Sequence, residues 1–257
     1  MLKIENTEVI GWEAAIRGMR NPKNSWGKSD SAYCHRDLVR DCTTCVNRFT
    51  TGYSACKAGG FDIGPKDLDL MTRLRNAGTD HRKFMRMIAV YLDITAPLYW
   101  WKEFDTYKVG TVANSCSTMH KIAAKEFTFD DFSCEYILKS KDVNRPDNSC
   151  CNWNWEGCEI IAPIDILEET INMLNKARKM FLETKDKKYW WQLIQLLPSS
   201  YNQRRTVMLN YEVLANIYKS RRNHKLDEWH TFCDWIEGLP YAELITGEER
   251  RMTNDCF

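Results

Sequence analysis

A short apolar, β-branched run, Thr206-Val207-Met208-Leu209, is separated by one residue, Asn210, from a stretch whose apolar positions recur every three to four residues. A strand that feeds a helix with almost no loop fixes the direction in which that helix leaves its sheet. The pattern predicts a strand over Thr206–Leu209 and a helix over Tyr211–Arg222. Val213, Leu214, Ile217 and Tyr218 fall on one stripe at a period of 3.6 residues, while Asn216 and Arg221 lie off it and can face a ligand. Arginine suits that place, because its planar fork stays charged and matches a phosphate or a pyrimidine carbonyl edge with paired hydrogen bonds. The same residues also fit a solvated helix end, where Arg221, Arg222, His224 and Lys225 complement the macrodipole.

The rest of the chain alternates similar elements. Residues 8–20 carry apolar positions at helical spacing, and the polar stretch with Pro22 and Gly27 ends that helix. Lys66–Ala77 and Asp80–Met87 are expected to be helical, and His81, Arg82, Lys83 and Arg86 give the second a basic face for phosphate or water. Ile88–Thr95 reads as a buried strand before Ala96-Pro97, Leu98–Phe104 as a short aromatic helix, and Lys108–Ala113 as a second strand. Asn114–Ser117 is a turn that can cap a helix over Thr118–Lys125. Pro163–Leu182 is the longest helix, with Ile164, Leu167, Ile171, Leu174 and Met180 near one face; Lys188–Leu197 and Glu228–Glu237 are further helices. The tail after Tyr241 is polar and expected to be mobile.

With 257 residues, one substantial core is expected, and we read 1–257 as a single domain interrupted by a Cys-rich insertion at about 32–65. Thirty-six basic and 35 acidic residues leave a net charge of +1, so nothing draws the whole chain to nucleic acid or to an anionic membrane. An anionic ligand needs a local cluster of cations. No apolar run reaches the roughly 20 residues that span a bilayer, and the N-terminus lacks the apolar core of an export signal. A soluble, cytoplasmic protein is the expectation.

Eleven cysteines cannot all pair, and without an export signal reduced thiols or a metal site are expected rather than a disulfide framework. Cys34, Cys42, Cys45 and Cys56 include one C-x-x-C, the spacing at which two thiolates grip zinc, so they are candidate ligands; ordinary reduced thiols are the other reading. Cys116 is either a nucleophile served by His120 or a bystander thiol. Trp100-Trp101 and Trp190-Trp191 are core or interface aromatics in preference to stacking platforms.

Two stretches resemble the flavin-dependent thymidylate synthases, the ThyX family. Residues 94–121, ITAPLYWWKEFDTYKVGTVANSCSTMHK, are similar to that family's strand, Ala-Pro, aromatic helix and signature R-H-R-x-x-S-x-N-E-x-S-x-R. Leu197-Pro198, Thr206-Val207, Asn210, Asn216 and Arg221 match its C-terminal pattern without a gap. With Asn114 and Ser117 taken as the signature's Asn and second Ser, the Arg-His-Arg triplet falls on Tyr107, Lys108 and Val109; moved by one residue, as Ala96-Pro97 prefers, it falls on Thr106, Tyr107 and Lys108, and in either register only Lys108 keeps a charge. The family's flavin-contacting His falls near Met87.

The resemblance implies an α/β (α+β) fold with a central mixed sheet flanked by helices. It implies reductive methylation of dUMP or a related pyrimidine nucleotide with FAD, and with NADPH and methylenetetrahydrofolate as co-substrates. It further implies a homotetramer, with sites built between subunits. Arg221 then holds the pyrimidine as the catalytic residue, Asn216 and Asn210 contact flavin, Lys108 takes a cofactor phosphate, and Ser117 and Asn114 meet the substrate. A member of this fold that has lost the reaction and kept nucleotide binding or a structural role is the alternative, and a zinc-bearing interaction module unrelated to flavin, resting on the cysteine loop alone, is a third reading.

Overall fold

In the computed structural model, residues 2–33, 61–139 and 162–247 are described. The order is β1 (Lys3–Ile10), α1 (Trp12–Arg20), β2 (Ala32–Tyr33), β3 (Phe61–Asp62), α2 (Pro65–Asn76), β4 (Ala89–Pro97), α3 (Leu98–Phe104), β5 (Val112–Ser115), α4 (Pro163–Thr184), α5 (Lys187–Gln195), β6 (Asn202–Asn210), α6 (Tyr211–Arg221), α7 (Asp227–Glu237) and α8 (Glu243–Thr246). A four-stranded sheet runs in the order β1-β4-β6-β5, and β2 pairs with β3 as a separate antiparallel ribbon.

The expected α/β class holds, with helices accompanying an antiparallel sheet. Along β4 and β6 the partners run in opposite directions: Ile88 faces Tyr211, Asp93 faces Thr206, and Leu98 faces Tyr201. Cys116 N–H donates to the Arg204 carbonyl at 2.9 Å beyond the end of β5, and Asn6 on β1 donates to Asp93 on β4 at 2.7 Å.

Two compact units make up the chain. The first comprises residues 2–94, 105–114 and 206 onward, and carries most of the sheet. Ile88, Val90, Leu92 and Ile94 are buried at every second position, as are Val207 and Leu209, which is the period-two signature of one covered face. Trp12, Leu214, Ile217, Trp229, Phe232 and Ile236, from α1, α6 and α7, complete that core. β1 turns into α1 at Gly11, whose φ of +96° suits glycine and where a Cβ would fall 2.1 Å from the Met87 carbonyl oxygen. Asp67, fully buried on α2, gathers Arg20, Ser29 and Ser31, with Arg20 Nε and Nη2 both 2.6 Å from Oδ1.

The second unit holds residues 95–104 and 115–205. Leu167, Ile171 and Leu174 of α4 pack with Leu193 of α5 and with Phe127 and Phe132. Asn175 bonds both the N–H and the carbonyl of Phe127, at 2.8 and 2.9 Å, and Arg178 donates to Ala123 O at 3.0 Å. Those side chains satisfy backbone groups of a segment that forms no helix or strand and buries Ala123 and Phe127.

Several elements differ from expectation. Residues 8–10 belong to a strand, because Gly11 breaks the pattern before the helix starts. Arg82–Met87 is a 3-10 helix, and Thr118–Lys125 forms turns without a helix. The second strand begins at Val112, since Gly110 takes a φ of +77° and turns the chain ahead of it. Leu244 and Ile245 of α8 are buried, so this part of the tail is packed. Cys34, Cys42, Cys45 and Cys56 lie outside the described residues. Among the described residues no cluster of ligating side chains could hold a metal, and no helix is long and apolar enough to cross a membrane.

Candidate functional site

Asn210 is both the last residue of β6 and the N-cap of α6. Its Oδ1 accepts from Val213 N–H at 3.0 Å, satisfying one of the otherwise orphaned donors at the start of a helix. Tyr211 N–H donates across the sheet to Ile88 O at 3.1 Å, which locks the first turn of α6 to β4. The chain at Gly110 comes up against the other side of the Asn210 amide, and a Cβ there would lie 2.9 Å from Asn210 Nδ2.

α6 buries Tyr211 to Ala215, Ile217 and Tyr218, a wider face than the expected stripe of four, and leaves Asn216 exposed. Arg82, from the 3-10 helix before β4, reaches over to this face. Its Nε pairs with Glu212 Oε1 at 3.0 Å and its Nη2 donates to Asn216 Oδ1 at 3.3 Å. Glu212 is buried in the first turn of α6, where the positive end of the macrodipole favours a carboxylate, and its Oε2 makes no hydrogen bond among the described residues.

At the other end of α6, Arg221 is half-buried. Its Nε donates to the Tyr107 hydroxyl at 2.9 Å, and its guanidinium carbon stands 4.7 Å from the ring centre of Trp229 and 5.6 Å from that of Tyr107. The two rings meet edge to face, 6.2 Å apart. A cation held against two aromatic faces and one phenol oxygen has its plane set before any ligand arrives. His224 also packs on Trp229, and its Nδ1 accepts from Leu226 N–H at 3.1 Å, which puts any ring N–H on Nε2. Beyond His224 a cleft of 610 Å³ opens among side chains that include Arg222, His230, Asp234 and Glu237.

Asn210, Asn216 and Arg221 therefore share one helix and its cap, and Lys108 and Asn114 lie in the same unit, both exposed. Ser117 belongs to the other unit, where its Oγ accepts from His120 N–H at 3.0 Å. Cys116 is exposed, and among the described residues no hydrogen bond joins it to His120. Trp100 and Trp101 are core, with Arg205 stacked on Trp101 at 4.1 Å. Sequence reasoning passed over Tyr107, Trp229 and Glu212. Tyr107 carried a signal, since either way of laying the ThyX signature on the chain puts it in the Arg-His-Arg triplet.

No protein-family profile and no curated protein matches the chain in sequence. Solved structures do match its fold, which is that of the flavin-dependent thymidylate synthases. The ThyX of Helicobacter pylori in complex with FAD and dUMP superposes with a TM-score of 0.59 at 14% identity, over 95% of this chain and 98% of that one. A second structure of ThyX from Helicobacter pylori with FAD and dUMP gives 0.58 at 14% identity, over 96% and 98%. A UMP/dUMP methylase, PolB, of Streptomyces cacaoi, bound with 5-Br dUMP, gives 0.51 at 12% identity, over 96% and 95%. The chain therefore has the ThyX fold at a sequence identity of 12–14% to these structures.

Proposed function

We propose that this protein binds a pyrimidine nucleotide through Arg221 and, with FAD, methylates dUMP or a close relative reductively. The observation that carries this reading is the fixed guanidinium of Arg221, placed by Tyr107 and Trp229 on the same helix as Asn216 and one strand-end from Asn210. In this reading Arg221 donates to a pyrimidine carbonyl and draws electron density from the ring, in a setting that needs no reorganisation as charge develops. Asn216 and Asn210 present amides to the flavin, and Lys108 meets a cofactor phosphate. Asn114 and Ser117 reach the nucleotide from a second copy of the chain in a homotetramer. FAD, when bound, supplies hydride taken from NADPH, and methylenetetrahydrofolate supplies the carbon.

The residues present fit a flavin in part. Gly110, at a φ of +77°, brings bare backbone against the Asn210 amide, where a side chain would block approach. Asn216 Oδ1 already accepts from Arg82, so a flavin meeting Asn216 is offered its amide N–H or displaces Arg82. That occupancy, with the buried Glu212 beside it, favours a second reading in which the nucleotide site persists and the methylation has been lost.

Titration of the purified protein with FAD, followed by flavin fluorescence with and without dUMP, separates the two. Saturable binding that dUMP alters supports the flavoenzyme. No FAD binding by folded protein that still binds dUMP in calorimetry overturns it in favour of the second reading. Unchanged dUMP affinity in a folded Arg221→Ala variant removes the proposed site altogether.

A further inference from the structure

In the unit built around α4 and α5, the turn segment after Cys116, the C-terminal end of α4 and the start of α5 enclose a depression of 400 Å³. That volume lies within the range of small-ligand clefts. The floor is apolar, made by buried Ile122 and Ala123 with half-buried Phe181 and Trp190. The rim carries Lys185, Lys187 and His120, and among the described residues no carboxylate lines it. We infer that this depression binds a small aromatic organic anion, a ring bearing a phosphate or carboxylate, with the ring against Trp190 and Phe181 and the charge paired with Lys185 and Lys187.

Three features show that the depression is held in shape. Trp190 Nε1 donates to Met119 O at 3.1 Å, which fixes the indole against the turn segment. Lys185 ends α4 with a φ of +58°, where glycine or asparagine is easier, and its N–H bonds to Phe181 O at 2.9 Å. A lysine kept in that conformation puts a cation on the rim at a conformational cost. Asp186, the acid between the two rim lysines, caps α5 through Lys188 N–H at 2.9 Å and pairs with Lys188 Nζ at 3.0 Å, so its charge is turned to another partner. Lys187 Nζ stands 5.5 Å from the centre of the Trp191 ring, a contact that leaves its charge without an anion; a body that is apolar on one side and anionic on the other complements floor and rim together, whereas a bare anion leaves the floor wet and a neutral ring leaves both lysines without a counter-charge.

The test is calorimetric titration of the full-length chain with phenyl phosphate and with benzoate, with inorganic phosphate and phenol as one-sided controls. Saturable binding of phenyl phosphate or benzoate, at least about ten-fold tighter than either control, is expected, and which of the two binds identifies the anionic group. The Lys185→Gln/Lys187→Gln double variant should lose about ten-fold in affinity for the aromatic anion and none for phenol, with an unchanged thermal melt. An Arg221→Ala variant should bind as the parent does, which separates this site from the nucleotide site. Aromatic anions that bind no tighter than inorganic phosphate, that bind the double variant equally well, or that are lost with Arg221→Ala overturn the inference.

Discussion

The Tyr107 hydroxyl accepts a hydrogen bond of 2.9 Å from Arg221 Nε, so a phenol from the loop after α3 orients the guanidinium at the end of α6. Tyr107→Phe keeps the ring and deletes that acceptor. Nucleotide affinity is expected to fall about ten-fold, in line with the loss of one hydrogen bond to a charged group, while FAD affinity stays unchanged. Parallel titrations of the variant with dUMP and with FAD check this; equal losses for both ligands would count against a role specific to Arg221.

The Arg82–Glu212 pair is buried enough that its halves cannot be removed independently. Arg82→Ala leaves a carboxylate without its cation and is expected to destabilise the fold by about 3 kcal/mol. Arg82→Met combined with Glu212→Gln should recover most of that loss. Chemical denaturation of the three proteins reads the difference.

Asp67 ties α2 to the segment that holds Ser29 and Ser31. Burial pushes its carboxyl up, but hydrogen bonds from Ser29, Ser31 and Arg20, with the Arg20 charge, outweigh burial and leave it below the usual value of 3.8. A carboxyl whose folded value is depressed stabilises the fold fully above its unfolded value, and that contribution is lost as pH falls through the folded one. Acid unfolding should therefore start below pH 3.8 for this group, and Asp67→Asn should flatten that limb of the stability profile while lowering stability at neutral pH.

Burial, with Asp234 and Glu237 nearby, pushes the Cys233 thiol up to about 11, whereas Cys116 lies exposed. At pH 8 roughly one Cys233 in a thousand is thiolate. Brief alkylation with iodoacetamide should label Cys116 and spare Cys233 in the folded protein. Peptide mass mapping checks the order, and equal labelling would mean that α7 opens readily.

Asn210→Ala deletes the cap of α6 and is expected to cost about 1 kcal/mol, lowering Tm by about 2–4 °C. Asn210→Ser should restore most of the loss, because its hydroxyl can accept from the same N–H.

Much of this was legible because it was local. The step from β6 to α6 follows from an apolar run, a capping asparagine and a helical repeat within 20 residues of sequence, and the structure differs there only in a longer strand and a wider buried face. The long helix α4 was equally plain. The features that stayed hidden depended on distant partners. Arg82 and Glu212 are 130 positions apart, and Tyr107 and Arg221 are 114 apart, so neither pairing leaves a periodic trace. Gly110 and Gly11 shifted strand edges that composition alone placed elsewhere, because a left-handed residue ends a pattern that its neighbours would continue. The candidate residues of the nucleotide site were found by family likeness, and the contacts that hold them were found by geometry.

Having one residue serve as both strand end and helix cap makes the chain at Asn210 intolerant of length changes. An α-helix turns by about 100° per residue, so a single insertion between β6 and α6 would swing Arg221 to a different quarter of the compass while the sheet stayed still. Loops elsewhere can grow or shrink as lineages diverge, but this junction works as an indexing notch. Relatives too distant to align by sequence should still be recognisable by an unchanged count of residues from the end of that strand to the arginine.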